Sequence, residues 1–166
     1  MQDLLAEFVK NINDFIELCQ GKTVVFDFDG TMTRFEYGQD KMLPWKRAEV
    51  APKTKAGGNM YQNVQVLRTM QYIIGQLKPQ NVWVLTATSV LEMRPQKNAV
   101  IMHKFQIPEN RIIHTDNDEQ KIEVLRQLHM QEGKEIIFAE DTVNTLLTAE
   151  DKLDFVRGWH VSMFLV

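Results

Sequence analysis

The sequence predicts a single α/β domain in which a parallel β-sheet of about five strands carries helices on both faces. Three observations lead there. Short runs of β-branched and aliphatic residues alternate with longer segments whose apolar residues recur at three- and four-residue steps, the pattern of strand-helix-strand units. The strand-like runs are apolar on both sides, as strands covered by two layers are. The 166 residues, 44% of them hydrophobic and 25% charged, suit one globular domain with a core of ordinary size.

Taken in order, residues 2–19 place Leu4, Leu5, Phe8, Val9, Ile12, Phe15, Ile16 and Cys19 on an amphipathic helix that Gln20 and Gly21 end. Thr23 to Phe28 reads as a buried strand running straight into Asp29-Gly30-Thr31. Pro44, Pro52, Gly57 and Gly58 then punctuate residues 34–60, a long loop or flap insertion with six basic and three acidic side chains, among them Trp45-Lys46-Arg47. That excess of positive charge fits either a solvated loop or a lid that attracts phosphorylated substrate. A helix is expected from Tyr61 to Leu77, on Val64, Leu67, Met70 and Ile74, stopped by Lys78-Pro79. A second strand covers Val82 to Leu85 and ends at Thr86, and a helix with Val100, Ile101 and Phe105 follows. Arg111 to His114 offers a third strand. Asp116 or Asp118 is placed to cap the next helix, built on Ile122, Leu125 and Leu128 and ended by Gly133. Glu135 to Ala139 and Trp159 to Val166 supply strands four and five.

Composition removes several function classes. The formal net charge of -3 provides no cationic field for nucleic acid or an anionic membrane. The lone cysteine, Cys19, precludes an internal disulfide and reads as a packing residue in a reducing compartment. Asp3 and Glu7 stand where a secretory signal needs basic residues, and no run reaches the ~18 apolar residues of a membrane span, so a cytoplasmic location is expected. His103, His114, His129 and His160 show no metal-ligand spacing. Asp116-Asn117-Asp118 is not a calcium loop, because Lys121 stands where glycine is needed and Gln127 where the bidentate glutamate belongs.

In open α/β sheets, ligands bind beyond the carboxyl ends of the strands, and there this chain collects its acidic and hydroxyl residues. The first strand delivers Asp27 and Asp29, the second Thr86, and the fourth Glu140 and Asp141, while Lys121 opens the helix after the third. Two carboxylates two positions apart in extended chain share a side and repel unless a cation lies between them. An all-carboxylate oxygen set suits Mg²⁺, with Asp141 completing it. Gly30 permits a sharp turn with backbone N–H groups that cradle an anion, and Thr31 is placed to anchor that turn. One carboxylate then attacks phosphorus while the second protonates the departing oxygen and activates water. Thr86 and Lys121 hold the equatorial oxygens, with Lys97 and Lys134 as lesser alternatives for the lysine.

Chance alone supplies Asp-x-Asp-Gly-Thr about 0.002 times in a chain of this composition. Val-Val-Phe-Asp-Phe-Asp-Gly-Thr-Met-Thr, residues 24–33, closely resembles the first motif of the haloacid dehalogenase-like (HAD-like) superfamily. Val-Trp-Val-Leu-Thr-Ala, residues 82–87, resembles the second motif, Lys121 the third-motif lysine, and Ile-Ile-Phe-Ala-Glu-Asp, residues 136–141, the fourth. The likeness spans about residues 22–166. It implies a Rossmann-like sheet of order 5-4-1-2-3. It further implies Asp27 as nucleophile and metal ligand, Asp29 as general acid/base and ligand through its backbone carbonyl, Thr86, Ala87, Lys121 and Gly30 on the substrate phosphate, and Asp141 with Glu140 on Mg²⁺. The pair is Glu-Asp where the family more often has Gly-Asp or Asp-Asp, and the interval from Thr31 to Thr86 is too short for a large cap domain.

The expectation is therefore a Mg²⁺-dependent phosphatase acting on a phosphate monoester through an aspartyl-phosphate. Without a cap the site is open, which suits a bulky phosphorylated substrate or a neighbouring subunit of a homo-oligomer as lid. A phosphotransferase or mutase uses the same residues with an organic acceptor. A receiver-type signalling module joins similar groups, but its phospho-accepting aspartate stands apart from its metal-binding acidic pair.

Overall fold

The computed structural model describes residues 2–33, 58–59, 61–62 and 64–164, with backbone alone for 2–5. The expected insertion at 34–60 lies outside them except for positions 58 and 59. The described chain runs α1 (Gln2–Leu18), β1 (Thr23–Phe26), α2 (Arg68–Leu77), β2 (Val82–Ala87), α3 (Arg94–Phe105), β3 (Ile112–Thr115), α4 (Glu119–Glu132), β4 (Ile136–Glu140), α5 (Val143–Lys152) and β5 (Val156–His160). Among the described residues the five strands of the sheet pair in parallel, in the order β3-β2-β1-β4-β5, the same neighbour list as 5-4-1-2-3 begun from the other edge. Among the described residues no helix is long and apolar enough to cross a membrane.

Alternation along the central strands sorts the core into two layers, one on each face of the sheet. Val24, Phe26, Val82, Val84, Ile137 and Ala139 face α1, α2 and α3, meeting Phe15, Ile73, Ile74, Ile101 and Phe105. Val25, Trp83, Leu85, Ile136 and Phe138 face α4 and α5, meeting Leu125, Leu128, Leu146 and Ala149. The chain thus winds outward from β1 through β2 and β3 under one layer, then returns to the other side of β1 for β4 and β5 under the other. β1 and β4 flank the point where the winding reverses, and the crevice beyond their carboxyl ends is where a ligand fits in such a sheet.

Several boundaries differ from the sequence reading, each for a tertiary reason. The helix expected from Tyr61 begins only at Arg68, because Val66 pairs with Thr33 and the Leu67 N–H donates to Met32 O at 3.0 Å. β5 lies at Val156–His160 rather than Trp159–Val166. Within it Gly158 lies against α5, its N–H donating to Glu150 Oε1 at 2.8 Å. Val161–Phe164 makes a 3₁₀ turn that buries Val161 and Phe164. Asp118 stands at the N-cap position of α4, as expected, but makes no side-chain cap hydrogen bond, and its neighbours supply the capping instead. Asn117 Oδ1 accepts from Gln120 N–H at 3.0 Å, and Gln120 Oε1 accepts from Asp116 N–H at 2.9 Å. Cys19 is buried, and burial pushes its thiol up to about 12 despite nearby Lys22, as befits a packing residue.

Phe15 ties α1 to the rest. It is fully buried, with ring centroids 6.0 Å from Phe26, 5.1 Å from Trp159 and 4.9 Å from Phe164, the last in edge-to-face geometry. Phe15→Ala leaves a cavity where four rings meet and is expected to lower stability by about 3–5 kcal/mol, read as a shift of the urea midpoint with little change in slope; a shift under about 1 kcal/mol would show α1 to be dispensable.

Candidate functional site

The site begins where β1 stops. Asp27 N–H makes the next rung, donating to Ala139 O at 2.9 Å, and the chain then winds into a tight turn in which Met32 N–H donates to Phe28 O at 2.9 Å. Gly30 has φ +78°, a conformation that favours glycine. The anchor of the turn is Thr33 rather than Thr31: its Oγ1 accepts from Gly30 N–H at 3.3 Å and donates to Phe28 O at 3.4 Å. The Gly30 amide expected to stand free for an anion is therefore engaged. Thr31 Oγ1 is buried with no hydrogen-bond partner among the described residues.

Asp27 and Asp29 are both buried at this end of the sheet, and each is held by its own lysine. Lys121, in the first turn of α4, donates to Asp27 Oδ1 at 2.8 Å and Glu140 Oε2 at 2.8 Å, and pairs with Asp118 Oδ1 at 2.9 Å. Lys97, in the first turn of α3, donates to Asp29 Oδ2, to Thr86 Oγ1 at 2.9 Å and to Ala87 O at 3.1 Å. Tyr61 adds its hydroxyl to the other oxygen of Asp29, at 3.2 Å.

Asp27, Glu140 and Asp141 bring one oxygen each within 4.8 Å of one another. Asp29 is not in that group, its carboxylate being turned to Lys97 and Tyr61. Burial first, and then the Glu140 charge, push the Asp27 carboxyl up to about 7 against the pull of Lys121. Burial likewise lifts Glu140 to about 7, again opposed by Lys121. Lys121 is desolvated too, but Asp27, Glu140 and Asp118 outweigh that and raise its ammonium well above the ordinary lysine value. One cation thus serves three carboxylates, and the hard, all-oxygen donor set left around Asp27 fits a divalent ion such as Mg²⁺. Glu140 also organises the loop, its Oε1 accepting from the N–H groups of Asp141 at 3.0 Å and Thr142 at 3.1 Å.

The structure brings together Asp27, Asp29, Thr86, Lys121, Glu140 and Asp141, and gives Lys97 and Tyr61 parts that the sequence reading does not. Lys97 stood there only as a weaker candidate for phosphate binding, and Tyr61 was assigned to a helix. A signal for Lys97 was present: it lies four and eight residues before Ile101 and Phe105, on the buried stripe of α3. A cation in register with a core face must find a buried partner. His114 extends the network, its Nδ1 3.1 Å from Thr88 Oγ1 and its Nε2 2.7 Å from Asn98 Oδ1. Comparison of the chain with protein-family models and with curated protein sequences returns no match.

Burial, with help from Lys97 and Arg94, lowers the His114 pKa to about 4 from its usual 6.5. Between those values the unfolded chain binds a proton that the folded one refuses, so the contribution of His114 to stability is complete above about pH 6.5 and declines as pH falls toward 4. The stability difference between the native protein and His114→Gln should change by about 1–2 kcal/mol across that window, once solvent access is allowed for. Urea midpoints measured at half-unit pH steps check this; a difference independent of pH would refute it.

Proposed function

We propose that the chain is a HAD-like phosphatase, a Mg²⁺-dependent hydrolase of phosphate monoesters acting through an aspartyl-phosphate on Asp27. The observation that supports this best is the grouping of Asp27, Glu140 and Asp141 at the β1/β4 crevice, with Asp29 two residues beyond the candidate nucleophile and Thr86 on the neighbouring strand. Asp27, Asp141 and, through the lone pairs its other contacts leave, Glu140 would hold the ion. When bound, Mg²⁺ neutralises the phosphate and keeps Asp27 ionised.

The residues themselves then divide the work. An Asp27 oxygen attacks phosphorus; the P–O bond to Asp27 forms as the P–O bond to the leaving alcohol breaks, and Asp29 gives its proton to the departing oxygen. In the second half Asp29 takes a proton from water, the water oxygen bonds to phosphorus, and the Asp27 carboxylate leaves, releasing inorganic phosphate. Thr86 accepts from Lys97, which keeps its own hydroxyl proton available to a phosphoryl oxygen. Of the three partners of Lys121 only Asp118 is exposed, at 53%, so an incoming phosphate oxygen takes that donor by displacing Asp118.

Asp27→Asn removes the nucleophile while keeping size and hydrogen-bonding capacity. Hydrolysis of 4-nitrophenyl phosphate should fall by at least about 10³-fold with the circular-dichroism spectrum unchanged. Chelation should abolish the activity of the native protein and added Mg²⁺ restore it. Activity that survives both treatments would defeat the proposal.

A further inference from the structure

Lys97 takes no direct part in the chemistry just described, yet its surroundings are built for it. It is about 1% exposed, on the buried stripe of α3, and its Nζ lies 5.9 Å and 5.8 Å from the ring centroids of Phe28 and Tyr61. An ammonium has three N–H donors. Here they reach Asp29 Oδ2, Thr86 Oγ1 and Ala87 O, so none is left for a substrate oxygen. Two of those acceptors are groups with opposite duties. On the phosphatase reading Asp29 serves the leaving oxygen, and Thr86 the phosphoryl group being transferred.

We propose that Lys97 is a positioning residue that sets the spacing between the acid/base carboxyl of Asp29 and the phosphate-binding hydroxyl of Thr86 without touching substrate. The inference rests on the phosphatase reading of this site. Asp29 hangs from a turn and Thr86 from the end of β2, and a single buried nitrogen bridges them from the first turn of a third element. Tyr61 holds the far oxygen of Asp29, so the carboxyl is fixed at both corners. Proton transfer depends steeply on such placement, and a misplaced acid loses most where the leaving group most needs its proton.

That dependence separates positioning from mere support of the fold. Lys97→Met keeps the stem and removes the charge. Its kcat/KM on a series from 4-nitrophenyl phosphate to unsubstituted phenyl phosphate should fall by about tenfold at the activated end and about 100-fold at the poor-leaving-group end. The slope against leaving-group pKa therefore steepens. A structural role alone lowers all substrates in parallel, so parallel losses, or none, overturn the proposal. Tyr61→Phe keeps the ring and loosens only one corner of Asp29, and should steepen the same slope by a smaller factor. It decides the matter if Lys97→Met does not fold, an unchanged slope then being the overturning result. A native protein that hydrolyses no member of the series overturns the phosphatase reading and this inference together; an active native protein with parallel losses overturns this inference alone.

Discussion

Two buried ammonium groups allow the carboxyl end of this sheet to hold the acid it holds. Asp27, Asp29 and Glu140 are all withdrawn from water, and an isolated buried carboxylate is costly enough to neutralise itself or unfold the site. Lys121 and Lys97 supply the countercharge, but unequally. Lys97 answers one carboxylate, whereas Lys121 answers three. Burial nevertheless lifts the carboxyls of Asp27 and Glu140 to about 7, against the pull of Lys121. Asp27 thus shares its cation with two other carboxylates, while Asp29 has one to itself among the described residues. That imbalance distinguishes the two aspartates, which the Asp-x-Asp spacing by itself does not.

The fold explains why these groups meet. Only a chain that winds away from β1 in one direction and returns on its other side places Glu140 and Asp141 next to Asp27, more than a hundred residues later, at the mouth of one crevice. The acidic loop after β4 is tied on its own account. Glu140 caps two amides, and His160 on β5 reaches Asp141 O through Nε2 at 2.8 Å. The edge strand thereby buttresses the loop that presents Asp141.

The sheet and the acidic groups at its mouth were legible because each rests on a local signal: apolar runs of strand length, and an Asp-x-Asp-Gly-Thr that follows one of them. What stayed illegible depends on distant partners. Thr33 anchors the turn because Val66 and Leu67 pack back onto residues 32–33, which no local pattern announces. The Asp27–Asp29 conflict, expected from sequence to need a divalent ion for its relief, is divided between two lysines that belong to separate helices. Tyr61 was assigned to a helix on its spacing, yet it serves as a buried hydroxyl donor to Asp29.

Those two helices lie in different layers. Lys97 continues the stripe of Ile101 and Phe105 in the layer of α1, α2 and α3, and Lys121 that of Leu125 and Leu128 in the layer of α4 and α5. Each lies on the apolar stripe of its helix and places a buried ammonium among the carboxylates at the carboxyl end of the strands. The crevice is therefore gripped from both faces at once, and loosening either layer moves one cation relative to the acids it matches. An apolar residue in either place would satisfy the core and leave a buried charge unanswered at the mouth. Retaining charge at two positions that packing alone would give to leucine or methionine is the kind of local cost that folds carry at functional sites.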